Sequence, residues 1–523
     1  MVKFDINSVA IIGAGPAGLA ALYEFLHTSK EGKSTVGTTT RPTNPLFSKI
    51  VVFEQKSAAG GIWTPVTQEA DLPVPPQQIL DTESYHLPEI IRPRNIPPQG
   101  IEDSDITNPK RNENRGVKEV WLDNELEWSR SGIYPNLFTN IPARFTRFSF
   151  MENEEKYYDT TERKIYPFMY HQELSGRFSD FIKAEKLDEY VRVNSTVENL
   201  IKNQDTGKWD ISIRKKNENR DESEWYLESF DAVVIANGHY TVPFIPNIPG
   251  MAGFNAKFPG VLMHAKSFRD PEEFKDLDVL VIGGGISTIN LLQYIVPIAK
   301  STTNSKRGKN AVFPFINDAL VSDGIIPQTT ISKIDPETGL VHFDDGSTGR
   351  FDKILLSTGY HFHFPFLQQQ QNLKIINPGN ASRVQGLYLH TFNQQDPTLA
   401  TIGVAVSQLN FHTMEASAAA IAGVWSGLRT LPTVQEQKEW ERQEVEKKGD
   451  SIGFHYFNHF DAGNGFIDTL EPYFPEGRFN PLQIDGEFVG EVDMGKDRLR
   501  DLFYGLKDKK IPISDTVLPM DSL

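Results

Sequence analysis

SVAIIGAGPAG, residues 8–18, is a short apolar run that breaks into three glycines and then resumes as an apolar, helix-like segment to about Leu26. A continuous apolar strand of this kind is buried on both faces, as in a parallel sheet covered by helices. The glycines match the turn of a dinucleotide-binding strand–turn–helix unit. Gly13 permits the tight turn, Gly15 lets the backbone approach a pyrophosphate, and Gly18 lets the helix pack closely on the strand. With Ala14, Pro16 and Ala17 they form a cradle at a helix N-terminus, which faces the phosphate charge. The unit also requires an acid at the end of the next strand to hold ribose hydroxyls, and KIVVFEQ (49–55) supplies Glu54. Glu54 follows Gly18 by 36 residues rather than the usual 15–20 or so. The Ser/Thr/Lys/Gly-rich stretch 28–49 reads as an insertion that accounts for the excess. After Glu54 come Gly60, Gly61, Ile62 and Trp63, a second close-approach glycine pair followed by an aromatic. That suggests a longer ligand lying along the fold, FAD rather than NAD.

Three further runs share the grammar of strand then glycine turn: FDAVVIANGHY (230–240), VLVIGGG (279–285) and FDKILLSTGY (351–360). The fold class is therefore α/β, with two Rossmann-like, doubly wound dinucleotide-binding units. In the second unit Gly283 and Gly285 form the turn and Ser287, Thr288 and Asn290 open the helix. Thr288 stands where the third glycine would be, so helix and strand are expected to pack slightly less closely. Lys306 and Arg307, after the weakly hydrophobic KSTTN, suit the 2′-phosphate of NADP. Two such sites on one chain imply that a nicotinamide passes hydride to a flavin.

The 523 residues allow two to four domains. The net charge of −16 argues against nucleic acid or an anionic membrane as partner. There is no cysteine, which removes disulfides, thiolate metal sites and the dithiol chemistry of disulfide reductases. It also leans towards an intracellular setting. The run Val9–Leu22 is broken by glycines and preceded by Asp5, unlike a signal peptide. No stretch of about 18 apolar residues suggests a membrane span; the nearest, Ala400–Leu428, is interrupted by Gln408, Asn410, His412 and Glu415. Residues 65–118, rich in proline and acids, read as an extended surface loop or a wall of a substrate entrance. Residues 434–449 read as a charged helix with a solvated face. His361 and His363 alternate after Tyr360, and two such residues do not make a metal site.

The stretch Phe258-x-Gly260-x-x-x-His264-x-x-x-Phe268 resembles the identifying sequence of the flavin-containing monooxygenases, class B single-component flavoproteins. The order GAGPAG, FE…GGIW, Phe-Gly-His, GGGIST and STGY is similar to that family, as are PNLFTN (135–140) and DPTLATIGV (396–404). The resemblance implies an FAD domain over 1–243, an NADP domain inserted over 244–356, and a second FAD part with a C-terminal extension over 357–523. It implies an N,N-dimethylaniline-type monooxygenase in which NADPH reduces FAD and O2 adds at flavin C4a. The resulting hydroperoxyflavin then oxygenates a small-molecule amine nitrogen or a thiol or thioether sulfur, with no general base. Asn140 is implied to hold the oxygenated flavin, Thr139 to touch NADP, and Val197 to contact FAD. The Phe-Gly-His stretch becomes an interdomain hinge in which His264 is structural. A cytoplasmic location is implied, with peripheral association at the ER surface and a homodimer both left open. Four positions depart from the pattern, Ile286, Asn290, Ser357 and Asn237, and the first two lie in the NADP site. A Baeyer–Villiger oxidation of ketones and an uncoupled NADPH oxidase or non-catalytic binding module stay open as alternatives.

Overall fold

In the computed structural model, residues 8–18 form the expected unit: strand Ser8–Ile12, a glycine turn, and helix Pro16–Leu26. The structure describes residues 4–65, 69–82, 84–113, 128–154, 163–217, 222–367, 373, 375–377 and 380–518. Ser8–Ile12 is an interior strand of a seven-stranded sheet. Lys49–Phe53 and then Val191–Arg192 lie parallel on one side, Ala232–Ile235 and then Leu399–Thr401 on the other. Leu387–Tyr388 and Phe392–Asn393 close that second side as antiparallel edges. Alternation decides what each strand residue touches. Val9 and Ile11 pack with helices Pro16–Leu26 and Asn410–Trp425. Ala10 and Ile12 pack instead with Trp209, Ile211, Ile213 and Phe230. These belong to a four-stranded antiparallel sheet, Lys110–Glu113, Glu222–Phe230, Trp209–Lys216 and Ser195–Lys202. Both strand faces are thus buried, at about 1.5–3 kcal/mol for each large aliphatic side chain.

The second glycine cluster follows strand Asp278–Ile282 and opens helix Ile286–Ile295. Its sheet is wholly parallel, in the order Ile326–Gln328, Ser301–Ser305, Asp278–Ile282, Lys353–Leu356, Leu262–His264. The polar strand Ser301–Ser305 is buried because its side chains are hydrogen-bonded: Asn304 Nδ2 donates to the carbonyls of Val281 and Gly283 at 3.0 and 2.9 Å. The chain passes between the sheets twice, after Ala232–Ile235 and after Lys353–Leu356. The two passages run side by side, with Phe244 N donating to Gly359 O at 2.8 Å and His361 N to Val242 O at 2.9 Å.

Several expectations need correction. The stretch 28–49, read as an insertion, is not loose: Val36, Leu46 and Phe47 are buried, and Phe47 meets Phe25 edge-on. Nor is 65–118 an extended surface loop across its described part. Val74, Leu80, Tyr85 and Ile91 enter the same core as Leu280, Ile354 and Leu356 of the second sheet; residues 114–118 lie outside the described residues. Its prolines erase sequence periodicity without preventing burial of the residues between them. Phe258–Phe268 is not merely a linker, because Leu262–His264 is an edge strand of the second sheet. The C-terminal helix Glu491–Lys507 packs Leu499, Leu502 and Phe503 against Val279, Val281 and Leu292 of the second unit, while Val492 at its start joins the core of the first. Helix Val434–Lys448 is solvated on one side only: Gln437 is buried and Glu441 accepts from Arg383 Nη1 and Gly386 N, both at 2.9 Å.

Candidate active site

One cleft of about 450 Å3 is lined from both glycine turns, by Gly13, Gly15, Pro16 and Ala17 on one side and Ile286, Ser287 and Asn290 on the other. Gly13 has φ +102°, and a Cβ there would stand 2.6 Å from Ala236 O. Only glycine lets this turn lie so close to the neighbouring strand end. A Cβ on Gly18 would overlap the Gly13 carbonyl oxygen, so the helix starts directly against the turn. Gly61 (φ +63°) faces Gly15, and a Cβ on it would be 2.8 Å from Gly15 Cα. Gly60 N donates to Ala14 O at 2.8 Å, which ties the two glycine turns together. Ile62 and Trp63 continue this wall of the cleft.

Glu54 is 5% exposed and lines the cleft. Its Oε2 accepts from Ala14 N at 2.8 Å and its Oε1 from Lys56 N at 2.9 Å. Burial pushes its pKa up against these bonds. Each oxygen keeps room for a second donor. Asn140 and Val197 also line the cleft, and the Asn140 amide makes no hydrogen bond to a described residue. Thr139 reaches the same wall, but its hydroxyl donates to Ile141 O at 2.9 Å and accepts from Met169 N at 3.1 Å. It therefore shapes the backbone around Asn140.

On the second side, Gly283 (φ +146°) abuts Ser357 O. Thr288 is fully buried, and its hydroxyl donates to Ser357 Oγ at 3.1 Å. The residue in place of the third glycine and the one in place of the usual alanine therefore satisfy each other, and helix and strand stay in contact. Gly283, Gly285, Thr288, Lys306 and Arg307 do not line the shared cleft itself, and neither do Ala14 and Gly18. Lys306 and Arg307 follow strand Ser301–Ser305 directly, and the Lys306 side chain lies beside Gly284. Among the described residues neither cation has an ion-pair partner, and desolvation lowers the Lys306 pKa.

His264 is 1% exposed, and its Nε2 donates to Gly359 O at 3.0 Å while Nδ1 accepts from Lys266 N at 3.1 Å. Burial lowers its pKa to about 3. It is a neutral brace between the Phe-Gly-His stretch and the second passage, next to Tyr360. Beside it, Lys266 pairs with Asp71, buried from solvent with its partner, and donates to Trp128 O at 2.6 Å. Residues 69–75 are thereby clipped to the Phe-Gly-His stretch. Lys56, Arg92, Thr196 and Gln408 are among the cleft residues that escaped the sequence reading. A lone cation in a proline-rich run, or a threonine inside an ordinary strand, carries no local signal.

The Flavin-binding monooxygenase-like family model matches residues 113–326 and 300–472, more than half the chain. The chain belongs to this family. The family uses FAD and NADPH, and the cradle fits such ligands: backbone exposed at Gly13 and Gly15, an acid at Glu54, and unpartnered polar groups facing the cleft. This flavin-binding monooxygenase is 26% identical over 490 residues to flavin-containing monooxygenase ustF2 of Aspergillus flavus, covering 87% of this chain and 89% of that protein. Its identity to trimethylamine monooxygenase of Methylocella silvestris is 26% over 456 residues, 86% of this chain and 82% of that one. S-allyl-L-cysteine S-oxygenase from Allium sativum has the same fold, with TM-score 0.65 and 23% identity over 97% of this chain and 99% of that one. Among the described residues no helix is long and apolar enough to cross a membrane.

Proposed function

We propose that this flavin-dependent monooxygenase oxygenates a soft nucleophile, an amine nitrogen or a thiol or thioether sulfur, using NADPH and O2. The observation carrying this reading is that the first glycine turn, Asn140 and the start of the helix after the second glycine turn (Ile286, Ser287, Asn290) line one cleft. When bound, FAD supplies the electron-transfer and oxygen-activating chemistry, and NADPH the reducing equivalents. The Gly13–Gly15 backbone and the N-terminus of helix Pro16–Leu26 hold the flavin dinucleotide's phosphates, and Glu54 its ribose. Lys306 and Arg307 hold the 2′-phosphate of NADPH.

Asn140 presents a donor and an acceptor to the reacting centre without a titratable proton. The imidazoles lining the cleft add none either: burial lowers His239 and His361 to about 4 and His363 to about 3, so all three stay neutral at pH 7. A soft nucleophile attacks without a general base, and a cleft with few mobile protons protects the oxidising equivalent until it does. Trimethylamine monooxygenase and S-allyl-L-cysteine S-oxygenase among the similar proteins support nitrogen and sulfur as the candidate atoms.

The test is a coupling assay on purified, FAD-loaded protein with trimethylamine, a thioether and a cyclic ketone. Equal consumption of NADPH and O2 with N-oxide or sulfoxide formation supports the proposal. Lactone as the sole product would replace it with Baeyer–Villiger oxidation, and hydrogen peroxide as the sole product with an NADPH oxidase.

A further inference from the structure

Arg92 comes from the proline-rich segment, yet its side chain reaches the first unit. Only 4% of it is exposed, and it lines the cleft together with Thr196 and Val197. Its Nη1 lies 3.6 Å from Glu198 Oε2 and donates to Pro93 O at 3.2 Å. Glu198, wholly buried, also accepts from Arg214 Nε at 3.0 Å and from Asn95 N and Nδ2 at 3.0 and 2.8 Å. It thus anchors the segment to strand Ser195–Lys202. His363 Nε2 donates to Arg92 O at 2.9 Å and fixes the backbone as well.

A guanidinium offers two forks, and the Nη1 end of this one is committed. The Nε–Nη2 edge has no hydrogen-bond partner among the described residues, although the residue is almost completely buried. Two residues before Glu198, the buried Thr196 hydroxyl also lacks a partner and also lines the cleft. The Thr196 hydroxyl, buried and unpaired, is costly unless a ligand completes it, and the Arg92 edge lies in the wall of the same cleft. The proposed phosphate and ribose residues, the first glycine turn and Glu54, line the same cleft as Arg92, Thr196 and Val197.

We infer that Arg92 and Thr196 are binding residues for the adenosine-diphosphate half of FAD. The proline-rich segment supplies the arginine that closes over it through the Nε–Nη2 edge, which suits phosphate or ribose oxygens. Arg92 needs no partner exchange to do so, since Glu198 keeps Nη1 and holds the fork in place. The inference rests on assigning this cleft to FAD.

The experiment is fluorescence titration of flavin-stripped full-length protein with FAD, alongside calorimetric titrations with ADP and NADP+. Arg92→Met is expected to weaken FAD and ADP at least about tenfold, as for loss of a charge-assisted bond, and to leave NADP+ within twofold. Arg92→Lys should recover part of the loss. FAD affinity within twofold of wild type in Arg92→Met overturns the role, and so does an equal loss for NADP+. If Arg92→Met does not fold by circular dichroism, Thr196→Val decides, because it removes the second group without disturbing any ion pair. A severalfold loss of FAD affinity supports the inference, and no loss overturns it. Wild-type protein that binds no FAD would instead overturn the assignment of the cleft.

Discussion

Asn140 stands in the wall between the two glycine turns with its amide free to serve a ligand. Removing a single positioned hydrogen-bonding group of this kind lowers turnover about 10²–10³-fold. Asn140→Ala is expected to leave flavin reduction by NADPH near the wild-type rate while product per NADPH falls steeply and hydrogen peroxide rises. Unchanged product yield would remove Asn140 from the chemistry. His264 makes a different prediction, about pH. Its folded pKa is near 3 against an ordinary value of 6.5, so as pH falls below 6.5 the unfolded chain takes up a proton that the folded protein refuses. Its contribution is present above 6.5 and is lost through the window down to about 3, at about 1.4 kcal/mol per pH unit. The melting temperature should fall between pH 7 and 5, and His264→Gln should flatten that slope; an identical slope would show that His264 is not the group responsible.

At the scale of elements, the clip between residues 69–75 and the Phe-Gly-His stretch is the contact the sequence did not announce. Asp71→Asn leaves Lys266 buried without its countercharge, at a cost of about 3–5 kcal/mol. Combining Asp71→Asn with Lys266→Met removes both charges and should recover much of that loss, and urea unfolding of the single and double variants checks it. The cations after strand Ser301–Ser305 predict cofactor choice: Lys306→Ala with Arg307→Ala should raise KM for NADPH about 10–100-fold and leave KM for NADH nearly unchanged. Equal effects on both would remove the 2′-phosphate from that corner. The glycine turns and Glu54 were legible because each is a local pattern, a strand's apolar run, a helix start, or an acid at a strand end; Asn140 was proposed only through the resemblance carried by PNLFTN. Arg92 was not legible, because its meaning depends on Glu198, far away in the chain. The docking of Glu491–Lys507 was not legible either, since an amphipathic face shows that a helix packs but not on which sheet. The proline-rich segment concealed a buried core beneath a loop-like composition.

Over the whole molecule, two sheets joined by paired passages at residues 236–245 and 357–363 bring the first glycine turn and the start of the helix after the second to a common cleft. In the proposed reaction that arrangement, rather than any single side chain, lets reduction and oxygenation of the flavin take place in one cleft. Anaerobic mixing of the FAD-loaded protein with NADPH, followed by absorbance, tests it most directly. The expected result is bleaching of the oxidised flavin at a rate that saturates with NADPH. A flavin that dithionite bleaches but NADPH does not would contradict the shared cleft as the meeting place of the two cofactors.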